Sequence, residues 1–151
     1  MRACVRVARL GEAVGVVIDG YPANEQIDLV DLQECLWRRR PGQSAMTTSR
    51  NENDIAQIIS GVFEGKTLGS PITILLSNND AKSSDYDELK DIYRPGHADL
   101  LYASKYGHRD HRGGGRSSAR ITAGWVAAGA LALQYLEKQG ISITGWVQQI
   151  Y

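Results

Sequence analysis

Residues 117–151 read SSARITAGWVAAGALALQYLEKQGISITGWVQQIY, and the folding of this stretch decides the architecture. The tract from Ala123 to Leu136 is small and apolar around much of its circumference. That pattern predicts a helix packed closely on its neighbours and covered on more than one side. Gly140 is placed to cap the helix, and Ile141–Ile150 alternates well enough to be a final strand. No partner for that strand follows it. A chain ending on such uncovered surfaces is expected to belong to something longer, or to an oligomer.

Further strands and a second helix are predicted upstream. Residues 14–18, VGVVI, form a β-rich apolar run stopped by Asp19-Gly20 and Pro22. Asp28 or Asp31 could cap a helix carrying Leu29, Leu32, Leu36 and Trp37 at helical spacing. It ends at Arg38-Arg39-Arg40, before Pro41-Gly42. Ile55–Phe63 and Pro71–Leu76 read as two strands, the second apolar enough to be buried on both faces. The acidic stretch Asn78–Asp91 reads as a surface loop or short helix.

The 151 residues suit a single domain large enough to bury a core, with the composition of a soluble globular protein. Lys plus Arg and Asp plus Glu both number 17, and this neutrality argues against a general nucleic-acid binder. Cys4 and Cys35 show no ligand-like spacing and read as free thiols in a reducing compartment, a disulfide being the less favoured alternative. No apolar run approaches the roughly eighteen residues of a membrane span, and no clear export signal opens the chain. The expected address is the cytoplasm.

Against that neutral background, Arg94–Arg120 sets Arg94, Lys105, Arg109, Arg112, Arg116 and Arg120 against Asp99 and Asp110. His97, His108 and His111 lie in the same window. Local cations with titratable imidazoles suit a small, multiply anionic ligand. Gly113–Gly115 lets backbone approach that ligand, and Ser117 and Ser118 add hydroxyl donors where a helix begins. The histidine spacing matches no metal-ligand set, and the surrounding arginines would repel a cation, so no metal is expected.

These residues carry a specific resemblance. RRRPGQS (Arg38–Ser44), TTSR (Thr47–Arg50), SGVFEGKTLGSPI (Ser60–Ile72), RPGHAD (Arg94–Asp99), KYGHRD (Lys105–Asp110) and RGGGRSSAR (Arg112–Arg120) resemble, in order and spacing, the N-terminal part of the chorismate synthases. The resemblance implies an α+β fold, a β-α-β sandwich of which this chain carries the N-terminal portion, assembled as a homotetramer. It implies a carbon–oxygen lyase that converts 5-enolpyruvylshikimate 3-phosphate (EPSP) to chorismate by 1,4-elimination of phosphate, toward aromatic amino acids. Reduced FMN is required but not consumed overall, and some members reduce flavin with NADPH. Carried over residue by residue, Arg116, Ser117 and Ser118 fall on FMN-contacting positions. Arg39 matches a position assigned to NADP or substrate-anion binding, and His97 a histidine acting as general acid. Arg39, Arg50, Arg94 and Arg109 are the candidates for capturing the substrate's phosphate and carboxylates.

The chain departs from the family pattern in four places. The GESHG motif that opens the family, with its second catalytic histidine, is shortened to Gly11-Glu12 followed by Ala13-Val14-Gly15. The ETxxR segment after SSAR is Ile121-Thr122-Ala123-Gly124-Trp125, and a position often basic is Ala45. Family members run to about two or three times this length. These departures set a second expectation beside the enzyme: a catalytically inactive remnant that at most binds FMN or a phosphorylated ligand.

Overall fold

A computed structural model of the chain describes residues 4–10, 12–43, 52–79, 83–112 and 115–150, with 4–10, 83–85 and 116 described by their backbone. Its centre is an antiparallel sheet. Strand β1 (Cys4–Leu10) pairs with β2 (Ala13–Asp19), β2 with β6 (Ile72–Ser77), and β6 with β3 (Ala56–Ser60). The register sets Val14 opposite Leu76, Val16 opposite Ile74 and Ile18 opposite Ile72, so all six share one buried face. Alternation sends Val17, Thr73 and Leu75 to the other face, where they stay partly open. The expectation that ITILL is buried on both faces is therefore corrected: helices cover one face of the sheet.

Those helices are α1 (Leu29–Arg39) and α3 (Thr122–Lys138), which pack on each other while α3 also lies on β2 and β6. Helix α3 buries Ala123, Gly124, Ala127, Ala128, Ala130 and Leu131, and such small side chains let it approach its neighbours closely. From α1 come Leu32, Cys35 and Leu36, while Leu29 and Trp37 flank that stripe in solvent. Asp28 is the N-cap: its Oδ1 accepts from the Val30 N–H at 2.8 Å and the Asp31 N–H at 3.1 Å. Buried Gln134 of α3 holds that cap, accepting from the Asp28 N–H and donating to the Asp28 carbonyl and the Asp31 carboxylate. Tyr21 donates to the Leu131 carbonyl at 2.9 Å, and burial first, then the Glu25 charge, pushes its hydroxyl up to about 12.

Two strand expectations change. Ile55–Phe63 is not one strand, because Gly61 breaks it with φ +79, where an added Cβ would sit 2.6 Å from the Pro71 carbonyl oxygen. β3 ends at Ser60, and β4 (Val62–Phe63) forms a separate hairpin with β5 (Lys66–Thr67). The alternating Ile141–Ile150 is no strand either. The Gly140 N–H donates to the Glu137 carbonyl and the Ile141 N–H to the Leu136 carbonyl, the Schellman pattern that ends α3. Beyond it the chain pairs with no strand among the described residues, and Trp146 is 80% exposed. Alternation without a partner ladder does not make a strand.

The acidic stretch contains a 3₁₀ helix at Ser83–Leu89, followed by α2 (Asp99–Tyr106). Helix α2 buries Asp99 and turns Leu100, Leu101 and Tyr106 to solvent, so it sits at the periphery. Two short 3₁₀ turns, Gly115–Ser117 and Ala119–Ile121, lead into α3, the second capped by Ser118.

Candidate functional site

Two groups of arginines gather on two buried carboxylates. The first forms where the C-terminal end of α1 meets the turn entering α3. Arg39 Nη1 lies 2.9 Å from Asp54 Oδ2, and Arg120 Nη1 pairs with Asp54 Oδ1. Arg120 is buried and further fixed by Nε donating to Asn78 Oδ1 at 2.9 Å. Arg39 Nε donates to Thr122 Oγ1 at 3.1 Å, and that hydroxyl donates on to the Ala119 carbonyl. Glu52, also buried, accepts from the Asn79 N–H at 2.9 Å. Burying such charges is costly unless each is paired, and here each has partners.

Arg39 therefore joins the RRRPG motif to the SSAR motif. It also lines a groove of about 580 Å³ between α1 and α3, with Arg38, Thr122, Trp125, Val126 and Leu133 among its neighbours. Trp125 is half exposed on that groove. Arg38 lies at its edge and donates to Cys35 Sγ, a contact that pushes the guanidinium up further. Cys35 is a buried free thiol, while the side chain of Cys4 lies outside the described residues.

The second group is peripheral. Arg94 grips Asp99 twice, through Nε to Oδ2 at 2.9 Å and Nη2 to Oδ1 at 3.2 Å, and its backbone N–H donates to Oδ2 as well. Arg109 Nη1 lies 3.6 Å from Asp99 Oδ2, beyond hydrogen-bond reach, while its Nη2 donates to the carbonyls of Leu89, Lys90 and Ile92. Hydrogen bonds from Arg94, above all, hold the Asp99 carboxyl down at about 2. Arg94 lies over the Tyr86 ring and Arg109 over the Tyr93 ring.

The expected site residues divide accordingly. Arg39 stands at the groove, tied to the turn that carries Ser117 and Ser118. Arg94 and Arg109 meet each other on Asp99, and no described hydrogen bond links them to Arg39. His97 is exposed, with Nδ1 3.3 Å from the Pro95 carbonyl oxygen. Arg50 and the Arg116 side chain lie outside the described residues. Among the described residues no group of three or more His, Cys, Asp or Glu is placed to hold a metal ion, and no helix is long and apolar enough to cross a membrane.

Asp54, Glu52, Asn78 and Gln33 lie in none of the motifs that carry the resemblance, and Arg120 is one arginine among several in its window. Glu52 and Asp54 lie in the irregular segment before β3, Asp54 at φ +50, so strand alternation does not announce their burial.

The turn at 115–121 carries two hydroxyls just before buried Arg120. Ser118 Oγ accepts from the Arg120 N–H at 3.2 Å, which leaves its own proton to donate, and Ser117 is exposed. An added Cβ at Gly115 would meet nothing within 4 Å among the described residues.

Taken as a class, this is an α+β protein whose arginines are braced on buried carboxylates beside a helix–helix groove. A family profile for chorismate synthase matches residues 8–151. A chorismate synthase of Azobacteroides pseudotrichonymphae is 55% identical over 140 residues, covering 93% of this chain and 40% of that protein. One of Methanococcoides burtonii is 58% identical over 140 residues, covering 93% and 38%. A crystal structure of chorismate synthase superimposes with a TM-score of 0.64 at 33% identity, covering 92% of this chain and 34% of the other. The chain belongs to the chorismate synthase family, and it spans about two fifths of the length of these curated relatives.

Proposed function

We propose that residues 1–151 act as one domain that carries the anion-recognising part of a chorismate synthase site. Arg39, joined by Arg50, takes the phosphate and carboxylates of EPSP, and Arg116, Ser117 and Ser118 take the phosphate of FMN. The observation that carries this reading is the link from Arg39 to the turn at 119–122, through Thr122 Oγ1 and through Asp54 to Arg120. The motif read as substrate-binding and the motif read as flavin-binding thus share one hydrogen-bonded frame. Guanidiniums suit the task because they present paired donors to planar oxyanions.

In the proposed reaction EPSP loses phosphate and a ring proton by 1,4-elimination to give chorismate. Reduced FMN, when bound, supplies electron density toward the breaking C–O bond and is not consumed overall. His97 is the proton donor of this reading: its ring is exposed, with Nδ1 beside the Pro95 carbonyl oxygen and Nε2 open to a ligand. Arg94 and Arg109 serve as a second anion contact, reached by giving up part of their hold on Asp99. NADPH as reductant, a homotetramer and a cytoplasmic setting belong to the same proposal.

A binding-only reading has its own support. Trp125 and Ile121 stand where the resemblance implies an arginine and a carboxylate, and of these Trp125 lines the groove beside Arg39. Titration calorimetry of EPSP and FMN into the purified chain, with chorismate formation followed under reduced FMN, tests both. Binding of both ligands, with EPSP affinity falling at least about tenfold in Arg39→Ala, is the expected result. Absence of binding at millimolar ligand would sink the proposal. Binding without turnover would favour the binding-only reading for this stretch of chain.

A further inference from the structure

Asp54 lies outside every motif that carries the family resemblance, yet two arginines of the site meet on it. We infer that Asp54, clamped by Gln33, is a positioning residue that sets the Arg39 guanidinium for an incoming phosphorylated ligand. The inference rests on the proposed role of Arg39 as the substrate-anion contact.

Asp54 adopts φ +50, in the left-handed region that residues with a Cβ seldom enter. Such a conformation persists where its surroundings over-determine it. Gln33 supplies that constraint from α1. Its Nε2 donates to the Asp54 carbonyl at 2.9 Å and its Oε1 accepts from the Ala56 N–H at 3.1 Å. One amide side chain therefore fixes the backbone on both sides of residue 55.

The carboxylate so placed divides its oxygens between two guanidiniums. Arg120 is held in turn by Asn78 Oδ1 and the Ser77 carbonyl at the end of β6. Asp54 thereby ties Arg39 to the sheet rather than to another loose side chain. With Nε on Thr122 and Nη1 on Asp54, the plane of the Arg39 guanidinium is fixed, and among the described residues no hydrogen bond engages Nη2, which is left for a ligand. Arg39 lines that groove with its side chain 20% exposed, whereas Asp54 is shut away from it. Asp54 acts through Arg39 and not on the ligand. An arginine already held in its binding geometry gives up less rotamer freedom when the anion arrives.

The test is a double-mutant cycle on EPSP affinity by calorimetry, with arginine ¹Hε–¹⁵Nε spectra of the same samples. Asp54→Asn removes the charge at constant size. Gln33→Met removes the clamp while leaving the ion pairs, and stands in if Asp54→Asn does not fold. Arg39→Ala should weaken EPSP by at least about tenfold, either positioning change by about three- to tenfold, and the second change on Arg39→Ala by less than about twofold. The Arg39 Hε signal, protected in the parent, should shift or broaden in both positioning variants. Full additivity with Arg39→Ala, unchanged affinity, or an unmoved Hε signal would overturn the positioning role and leave Arg39 as the anion contact. A parent that does not bind EPSP, or an Arg39→Ala variant that binds as well as the parent, would overturn the proposed function instead. In that case the Hε spectrum alone decides whether Asp54 orders Arg39.

Discussion

Asp54 and Asp99 each gather two guanidiniums, but the ground beneath them differs. Around Asp54 the partners come from the end of α1 and the turn before α3, and Asn78 adds the end of the central sheet. These elements also bury Leu32, Leu36, Leu76 and Leu131, so the ion pairs stand on the hydrophobic core. Around Asp99 the partners are Arg94, Arg109 and two tyrosine rings, on a segment whose helix turns its leucines outward. Polar contacts hold that segment together, and little apolar burial backs them. A guanidinium braced on the core keeps its geometry through local fluctuations, whereas one in a thinly packed segment moves with it. The contrast explains why the proposed anion contact is Arg39, although the Arg94–Arg120 window is the richer in arginine.

The sharpest way to break this comparison is to remove each carboxylate. Asp54→Ala leaves buried Arg120 without its counter-ion, and stripping one partner from a buried pair costs about 3–5 kcal/mol. Urea unfolding of the whole chain, followed by tryptophan fluorescence, should show most of that loss. A loss under about 1 kcal/mol would mean that water reaches Arg120 and that the two clusters are energetically alike.

Asp99→Asn should act locally. Amide exchange should quicken in residues 89–109, while the global midpoint moves by less than about 1 kcal/mol. Acid sharpens the contrast. The Asp99 carboxyl is held below its ordinary value of 3.8 at about 2, first by hydrogen bonds from Arg94 and then by nearby positive charge. A lowered folded-state value means the contribution is complete above 3.8 and disappears as pH falls toward 2. Exchange in this segment should therefore accelerate between those values in the parent and stay flat across them in Asp99→Asn. Equal acceleration in both would assign the acid sensitivity to another carboxylate.

Local chemistry made much of the fold legible. Asp28 caps α1 because a short carboxylate there meets the free N–H groups of the first turn. Arg38–Arg40 before Pro41-Gly42 marks where the helix stops, and Gly140 marks the end of α3. Long-range terms were less legible. Gly61 splits a continuous β-like run because the Pro71 carbonyl lies where a side chain would go, a contact with nothing local to announce it. Ile141–Ile150 has the right alternation and lacks a ladder. At the site, Arg39 could be picked out from its motif, but Asp54 could not, because its importance comes from Arg120 and Gln33, far from it in sequence. Arginine density pointed to the window 94–120, and density alone does not say which guanidiniums a neighbouring carboxylate has already engaged.

Arg112 provides the smallest effect and the control on the others. It makes the same kind of contact as Arg94, with Nε 2.9 Å from Asp110 Oδ1 and Nη2 3.1 Å from Asp110 Oδ2. Its backbone N–H also donates to that carboxylate. By distance alone the pair ranks with Arg94–Asp99, and it likewise lowers the Asp110 carboxyl. The two side chains are 63% and 60% exposed, however, so water and salt compete for each charge. Arg112→Ala should leave the urea midpoint where it is in the parent and amide exchange in 89–109 within about twofold of the parent. A larger effect would show that hydrogen-bond geometry, and not the burial beneath it, sets the strength of arginine contacts in this protein. The distinction drawn between the Asp54 and Asp99 clusters would then lose its basis.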